Sequence, residues 1–331
     1  MTKRILVAGA GRVGQVYGHH LAQGGASVTV LVRPRHEEEA RAGYRLHRVG
    51  VTGARTPSSF LPDVVTSIEE IARAQRFDEV WLCVATTSLE ESWLREVASA
   101  TGDATVVSVQ PGLGVKQRIE RAIEPARVVM GVVAFLAWET PLPSSDDPRE
   151  RAAEHEPGTA YLIPPLEPIS ISGTSERRAL RVIDGLRAGG LAARLVADAE
   201  TELVFSTAML MPLVASLELA GWSLSALSAD ASLATLATHA AEEALAVSQA
   251  ETGRDAPLSS RLALSPLLVR WGARLAPIVA PLDLETYLRA HFTKVGAQTR
   301  ALLAGYVERA PRHDLPNGAV ESLLRRLEDM A

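Results

Sequence analysis

Short apolar runs separated by amphipathic stretches fill the first part of the chain, up to about residue 135. Each run is rich in β-branched residues and is too short for a helix, so the pattern predicts strands alternating with helices in a parallel sheet. The predicted strands are Arg4 to Ala8, Ser27 to Val32, Glu79 to Val84, Thr105 to Val109 and Val128 to Val133. The stretch from Tyr44 to Val65, rich in Gly, Thr, Ser and Pro, predicts a hairpin or an irregular excursion.

The pattern changes twice further along. From Pro141 to Glu156 the chain is polar, charged and proline-bearing, which predicts a long exposed loop. Two strand-like runs, a helix and a final strand follow, with these expected bounds: Thr159 to Ile163, Pro168 to Ser172, Glu176 to Arg187 and Ala192 to Val196.

From Ala199 onward nearly every segment is rich in Ala and Leu and has helical periodicity. We therefore expect an α/β fold: an amino-terminal Rossmann-type doubly wound parallel sheet over residues 1–197, followed by an all-α domain over residues 198–331. The length of 331 residues suits two such domains. The longest uncharged stretch, Leu203 to Leu217, contains Pro212 and is shorter than a bilayer requires, so it predicts a buried helix.

Composition narrows the functional classes. Apolar residues make up 47%, charged residues 22%, and the net charge is −5 with both signs interspersed. This predicts an ordinary folded protein without the basic face that nucleic acid or a membrane surface attracts. The single cysteine, Cys83, lies in an apolar run and has no disulfide partner in the chain, and no signal peptide precedes the first strand. We therefore expect a cytoplasmic protein.

The first predicted strand leads directly into Gly9-Ala10-Gly11-Arg12-Val13-Gly14, and a helix follows. Gly9 permits a tight turn, Gly11 lets a pyrophosphate approach the backbone, and Gly14 lets helix and strand pack closely. The unpaired amides at the helix start favour an anion. This hexapeptide predicts a dinucleotide site, and a glycine-rich turn without a ligand is the alternative.

The end of the second strand indicates which dinucleotide binds. A site that prefers NAD places Asp or Glu there, whereas this chain has Arg33, Pro34 and Arg35. Arg33 can pair bidentately with a 2′-phosphate, and Arg35 is a second candidate. The sequence therefore predicts NADP(H) as the cofactor.

The chain resembles the ketopantoate reductase family. The resemblance lies in the segment from Ile5 to Gly14, Arg33 at the end of the second strand, the turn Gln110-Pro111-Gly112-Leu113-Gly114, Met130-Gly131 and the helical second half. The resemblance is most specific between Arg4 and Arg35. It implies an NADPH-binding Rossmann domain, a helical second domain, a substrate cleft between the two, and hydride transfer to a 2-oxo acid.

The chain departs from the family at the catalytic positions. The family's proton-donating lysine aligns near Ser206, and no lysine lies between Lys116 and Lys294. Its cofactor-contacting lysine aligns near Ala85, its Asn-Gly turn becomes Pro111-Gly112, and its substrate-binding asparagines align with Met209 to Val214. No glutamate lies between Glu285 and Glu308, where the family has one. Ala85 and Gln110 remain candidate cofactor contacts by position, and ketopantoate itself is not the expected substrate.

Reduction of a carbonyl requires a group that protonates or polarises the acceptor atom. His291, Lys294 and Gln298 are spaced by three and four residues in a predicted helix from Tyr287 to Leu303, so we expect them on one face as catalytic candidates, with a solvated helix face as the alternative. Ser206 is a further candidate, with back-bonding to its own helix as the alternative. His239 with Glu242 and Glu243 is a weaker one.

No His, Cys, Asp or Glu set has metal-ligand spacing, so no metal is expected. His19 and His20 are expected on the surface.

The sequence thus predicts an NADPH-dependent, ketopantoate reductase-like oxidoreductase that reduces a 2-oxo acid or an imine. A non-catalytic NADP(H) sensor and another two-domain dehydrogenase, of the β-hydroxyacid or opine type, are the alternatives. We also expect a homodimer.

Overall fold

A computed structural model describes residues 2–74, 76–143, 145, 150, 156–165, 167–257, 260 and 264–330. The chain divides into two compact units. The first comprises Met1–Gln110, Gly114–Pro141 and Pro148–Glu200, and the second comprises Pro111–Leu113, Leu142–Asp147 and Thr201–Ala331.

The described residues of the first unit form two sheets and six helices. The strands are β1 (Arg4–Ala8), β2 (Ser27–Leu31), β3 (Tyr44–Val49), β4 (Arg55–Phe60), β5 (Asp63–Val65), β6 (Glu79–Leu82), β7 (Thr105–Ser108), β8 (Val128–Gly131), β9 (Leu136–Thr140), β10 (Gly158–Leu162), β11 (Ile169–Gly173) and β12 (Ala193–Leu195). The helices are α1 (Arg12–Gln23), α2 (Glu37–Ala42), α3 (Ile68–Arg73), α4 (Glu91–Ala100), α5 (Val115–Ala122) and α6 (Glu176–Ala188).

Eight strands form the main sheet, in the order β12-β11-β8-β7-β6-β1-β2-β5. Every neighbouring pair is parallel except β11 with β8. The inner strands are apolar and buried because helices cover both faces, as the uninterrupted β-branched runs predicted. The predicted Rossmann-type parallel sheet is therefore confirmed.

A second sheet of four strands, in the order β4-β3-β10-β9, lies on the far side of α1. The predicted hairpin is β3 paired antiparallel with β4, and β5 returns to the main sheet beside β2. Helix α1 is thus enclosed between two sheets, and a Cβ on its Gly18 would lie 2.6 Å from the Phe60 ring.

This enclosure explains why one expectation was wrong. His19 and His20 are buried, at 4% and 5% exposure, because the small sheet covers the side of α1 that the sequence pattern left to solvent. His20 Nδ1 lies 2.7 Å from the carbonyl oxygen of Gly189.

The predicted exposed loop from Pro141 to Glu156 also needs correction at two positions. Strand β9 continues to Thr140, and Leu142 and Glu150 are buried. Glu150 bonds to Arg55 and accepts a hydrogen bond from the Thr140 hydroxyl at 2.9 Å, which accounts for its burial. Residues 144, 146–149 and 151–155, on which the rest of this prediction falls, lie outside the described residues.

From Thr201 onward, the described residues of the second unit form helices and the segments that connect them, as predicted. Its helices are α7 (Ala199–Leu219, whose first two residues belong to the first unit), α8 (Leu224–Ala229), α9 (Ala231–Thr252), α10 (Pro266–Val279), α11 (Leu284–Lys294), α12 (Gly296–Arg309) and α13 (Gly318–Glu328). Glu243 on α9 accepts hydrogen bonds from the amides of Ala319 and Val320, which neutralises the start of α13. This contact gives Glu243 a structural role in place of the histidine pairing considered from the sequence.

Helix α7 is the one described helix long and apolar enough, by length and composition, to cross a membrane. The most apolar 18 residues of this helix are 56% buried in the structure, and the core helices of soluble proteins can be equally long and apolar.

Candidate functional site

The glycine-rich turn lies where β1 ends and α1 begins. Parallel pairing aligns Ala8 of β1 with Leu31 of β2 on one side and with Leu82 of β6 on the other. The carboxyl ends of these strands therefore lie at one edge of the sheet, where ligands of open α/β folds bind. The register brings the Gly9–Gly14 turn, Arg33 and Ala85 to this edge.

Each glycine of the turn has the environment that its predicted role requires. Gly9 has a φ of +100°, and a Cβ there would lie 2.9 Å from Val84 Cγ1. A Cβ on Gly14 would lie 2.0 Å from the Gly9 carbonyl oxygen, so the close packing of α1 on β1 excludes any side chain. A Cβ on Gly11 would meet no atom within 4 Å, so its outer side is open to a ligand.

The start of α1 is suited to an anion. Gly11 is the N-cap residue and supplies no side-chain hydrogen bond, and the first turn contains no acidic residue. The amides of Arg12, Val13 and Gly14 belong to that turn, where a helix has no internal acceptors for them. An uncapped, open helix start of this kind fits the pyrophosphate of a dinucleotide.

Gln15 and Thr159, two polar side chains that the sequence analysis did not identify, hold the glycine-rich turn in place. Gln15 Nε2 donates to the Ala10 carbonyl oxygen at 2.9 Å, and Gln15 Oε1 accepts from the Thr159 hydroxyl on β10. Arg12 also reaches the small sheet: it donates to Thr159 at 3.1 Å and pairs with Glu139 on β9 at 2.8 Å. Thr159 lies 147 positions from Arg12 in the chain, so no local sequence signal could have revealed these contacts.

Arg33 follows β2 and is exposed at the sheet edge. Its backbone is extended, with φ −65° and ψ 146°, and Pro34 begins a short 3₁₀ turn directly after it. Arg35 is also exposed, and its Nε donates to His36 Nε2 at 3.1 Å. The carboxylate of Glu37 bonds to Arg41, at 2.9 Å, one turn later in α2.

The side-chain amide of Gln110 is hydrogen-bonded within the protein, in contrast to its predicted role as a cofactor contact. Its Nε2 donates to the carbonyl oxygens of Leu82, at 2.7 Å, and Val84, at 3.1 Å, and its Oε1 accepts from Ser108 at 2.6 Å. Both ends of the buried amide are therefore engaged, and Gln110 ties the ends of β6 and β7 together. Ala85 is exposed at the start of the next short turn.

Cys83 lies beneath the turn and is partly buried. Burial raises the pKa of its thiol to about 12. The side chain therefore remains a neutral thiol near pH 7, as expected of a small apolar residue in this position.

The proposed catalytic side chains lie in the second unit, and one expectation about them is wrong. The predicted single helix from Tyr287 to Leu303 is interrupted at Val295: α11 ends at Lys294 and α12 begins at Gly296. His291 and Lys294 therefore share a helix, but Gln298 belongs to the next one. The β-branched Val295 followed by Gly296, both poor helix formers, accounts for the break.

His291 and Lys294 lie close enough to interact electrostatically. Burial lowers the pKa of His291, and the charge of Lys294 lowers it further. His291 is thus neutral near pH 7, with its ring 5.7 Å from that of Tyr287 and 4.8 Å from that of Phe292, measured between centroids. Lys294 is exposed at the carboxyl end of α11.

Ser206 lies on α7 and is exposed. Its hydroxyl donates to the Leu203 carbonyl oxygen at 3.0 Å, and the Thr207 hydroxyl donates to the same oxygen at 2.7 Å. This is the back-bonding that the sequence analysis gave as the alternative to a substrate contact.

No group of three or more His, Cys, Asp or Glu side chains within the described part of the chain is arranged to hold a metal ion.

The parallel sheet, the open glycine turn and the helical second unit define the class as a Rossmann-type dinucleotide-binding fold with an α-helical second unit. Residues 5–141 match the model of the family described as ketopantoate reductase PanE/ApbA. No curated protein matches the chain.

Several solved structures share the fold along nearly their whole length. A PanE/ApbA family ketopantoate reductase from Ralstonia eutropha JMP134 is 20% identical with a TM-score of 0.73, covering 99% of both chains. A D-mandelate dehydrogenase, in a ternary structure with NADH and anilino(oxo)acetate, is 12% identical with a TM-score of 0.70, covering 98% of this chain and 97% of that one. A 2-dehydropantoate 2-reductase from Geobacter metallireducens GS-15 is 17% identical with a TM-score of 0.66, covering 99% and 100%.

Proposed function

We propose that this chain is an NADPH-dependent oxidoreductase that reduces the carbonyl of a 2-oxo acid or an imine. The observation that carries the proposal is the open glycine turn at the sheet edge, with Arg33 at the end of the adjacent strand. The match of residues 5–141 to the ketopantoate reductase model, and the fold shared with dehydrogenases that act on related compounds, support the reaction class.

The chain's own residues account for cofactor binding as follows. The amides at the start of α1 hold the pyrophosphate, and the missing Cβ of Gly11 lets it approach the backbone. The guanidinium of Arg33 pairs with the 2′-phosphate, which is absent from NAD. Because Gln15 and Gln110 fix the turn and the ends of β6 and β7, the site is preorganised in the free protein.

The bound nicotinamide supplies the hydride to the carbonyl or imine carbon. The protein then has to deliver a proton to the acceptor oxygen or nitrogen as negative charge develops there. We propose Lys294 for this role, with the neutral His291, Ser206 and Gln298 as candidates for orienting the substrate. Ketopantoate is not the proposed substrate, because no lysine lies between Lys116 and Lys294, where the resemblance to that family implies a proton-donating lysine near Ser206.

A direct test titrates the purified protein with NADPH and with NADH by calorimetry, and then adds a panel of 2-oxo acids and cyclic imines while the absorbance of the reduced nicotinamide is followed. We expect NADPH to bind at least about tenfold more tightly than NADH, since a charge-assisted bidentate pair contributes on the order of 1.5–3 kcal/mol. At least one member of the panel should be reduced. Absence of binding by either nucleotide would remove the cofactor assignment and the reaction with it.

A non-catalytic NADP(H) sensor is the second candidate. It is favoured by the hydroxyl of Ser206, which donates to the Leu203 carbonyl oxygen of its own helix, near the position that the resemblance implies for the family's lysine. Tight NADPH binding with no oxidation across the panel would support the sensor over the reductase. Oxidation of 2-hydroxy acids with NADP⁺ would instead favour a dehydrogenase of the β-hydroxyacid or opine type.

A further inference from the structure

Helix α10 (Pro266–Val279) carries an unusual concentration of exposed apolar side chains. Six large ones are exposed, by 49% to 78%: Leu267, Leu268, Trp271, Leu275, Ile278 and Val279. We refer to these six as the apolar face of α10. Outside this helix, the exposed large apolar side chains of the described chain are dispersed among β-hairpin, loop and helix positions far apart in sequence.

The six residues form one continuous face. Their spacings are mainly three and four residues, so at 100° per residue they lie within a sector of about 120° on one side of the helix. The two charged residues of α10 lie outside that sector: Arg270 is about 60° and the exposed Arg274 about 20° beyond its Leu267 edge. The centre of the face therefore carries no ionisable group, and Arg274 borders one side of it.

The other side of α10 already has its own partners. Ala273 is buried in the core of the second unit, and Arg270 Nε donates to the Ser228 carbonyl oxygen of α8 at 2.7 Å. The helix packs on α8 and α9 through this side. An ordinary amphipathic helix has one apolar side, which it buries in the core. Helix α10 has two: one is packed in the second unit, and the other is exposed.

The size of the face indicates the kind of partner. At roughly 150–200 Å² for a large apolar side chain, the exposed fractions amount to on the order of 600 Å². This is at the upper limit for the largest apolar patch of a typical monomer, about 300–600 Å². Two such faces packed together would remove on the order of 1,200 Å² from water, the lower limit for a stable, specific interface.

We propose that the apolar face of α10 is the interface through which two copies of this chain form a two-fold symmetric dimer. The centre of the face is uncharged, so no like charges meet there when two copies pack, and Arg274 remains at the rim. Because each copy uses the same face, the contact is two-fold symmetric. A membrane surface is the less favoured occupant, because interfacial helices combine an apolar face with a free face rich in Lys and Arg. In α10 the opposite side is packed against the protein, and the protein carries a net charge of −5.

Sedimentation velocity of the full chain over a concentration series tests the proposal, with the variants Leu275→Asp and Ile278→Asp. The unsubstituted chain should sediment as a dimer, and each variant should raise the dissociation constant at least about 100-fold, because a buried carboxylate at the centre of an interface is left unpaired. Both side chains are exposed in the single chain, so circular dichroism and NADPH affinity should remain unchanged. Leu61→Asp, at a residue that is 74% exposed in the first unit, is the matched control and should remain dimeric.

A cysteine cross-link provides an independent measurement. Under mild oxidation, Leu275→Cys should form a disulfide-linked dimer, since Leu275 lies within about 20° of the centre of the apolar face, whereas Leu61→Cys should not. The native Cys83 does not compete because its thiol is partly buried and un-ionised near pH 7.

Three results would overturn the proposal: a monomeric unsubstituted chain, a dimer that persists in both aspartate variants, or a monomer that co-floats with vesicles of phosphatidylcholine and phosphatidylglycerol. The last result would assign the face to a membrane. Failure of Leu275→Cys to cross-link within a dimer would likewise place the dimer interface elsewhere on the chain.

Discussion

At the scale of single residues, the proposed preference for NADPH rests on the charge at the end of β2. Arg33 is exposed at the sheet edge beside the glycine turn, at the position where a carboxylate would favour NAD. The proposal predicts that the guanidinium attracts a 2′-phosphate, and that no carboxylate at this position favours the free ribose hydroxyl of NAD.

Arg33→Ala tests this directly. We expect the dissociation constant of NADPH to rise about 10- to 100-fold, the equivalent of losing one charge-assisted bidentate pair, while NADH affinity stays the same. Arg35→Ala is the matched control, two residues away and equally exposed, and should have the smaller effect. Equal losses for NADPH and NADH would contradict specific recognition of the 2′-phosphate.

Lys294→Ala tests the proposed proton donor. If Lys294 is the general acid, kcat should fall by roughly two to four decades, the usual contribution of such a group, and NADPH affinity should be unchanged. Lys116→Ala provides a control with the same charge change in the first unit. Unchanged turnover would remove Lys294 from the reaction and leave His291, Ser206 and Gln298 to be tested in the same way.

At the scale of elements, the β1–turn–α1 segment has two glycines with opposite requirements. The helix start needs Gly14 for its own packing, because a Cβ would lie 2.0 Å from the Gly9 carbonyl oxygen. A Cβ on Gly11 would meet no neighbour within 4 Å, so the fold itself does not require glycine there, and the proposed pyrophosphate would.

The pair Gly11→Ala and Gly14→Ala separates folding from binding. Gly11→Ala should leave the free energy of unfolding nearly unchanged but weaken NADPH binding at least about tenfold, since the added methyl occupies the path of the pyrophosphate. Gly14→Ala should lower the free energy of unfolding by about 2 kcal/mol or more, because α1 must move away from β1. Urea denaturation and calorimetry measure both effects. Normal NADPH affinity in Gly11→Ala would contradict the placement of the pyrophosphate.

Helix α1 also shows that the elements packed around a helix decide which of its residues are buried. By itself it is a short helix with two histidines on the side away from β1. With the small sheet across that side, His19 and His20 become core residues, and burial is the main cause that lowers the pKa of each.

At the scale of the whole molecule, this burial makes stability depend on pH. Burial, together with the nearby His20, lowers the pKa of His19 from about 6.5 to about 4. Between these values the unfolded chain binds a proton at His19 that the folded chain does not bind, so stability falls as the pH falls from about 6.5 towards 4. The full effect of such a shift is on the order of 3 kcal/mol.

Urea unfolding of the native chain and of His19→Gln at several pH values between 7.5 and 4.5 measures this contribution. The variant should lose less stability than the native chain on acidification. His36→Gln, at a side chain that is 49% exposed, should retain the native slope. A His19→Gln slope identical to that of the native chain would contradict the assigned pKa.

The sequence determined the parts of this protein that depend on near neighbours in the chain. Short apolar runs rich in β-branched residues predicted the strands of the main sheet, and the spacing of Gly9, Gly11 and Gly14 predicted the turn. Both depend on backbone conformation and on the packing of a strand against the helix that follows it, which are local properties. Arg33 was identified as a candidate cofactor contact in the same way, from its position directly after a strand.

Only the tertiary structure decided what depends on contacts between distant segments. The joining of β3 and β4 with β9 and β10 buries His19 and His20, turns Arg12 towards Glu139, and engages Gln15 with Thr159. The break in the helix at Val295 and the exposure of the apolar face of α10 were likewise visible only in the tertiary structure. Periodicity reports that a helix has an apolar side, but the packing of the entire chain decides whether that side is buried within the protein or left exposed on its surface.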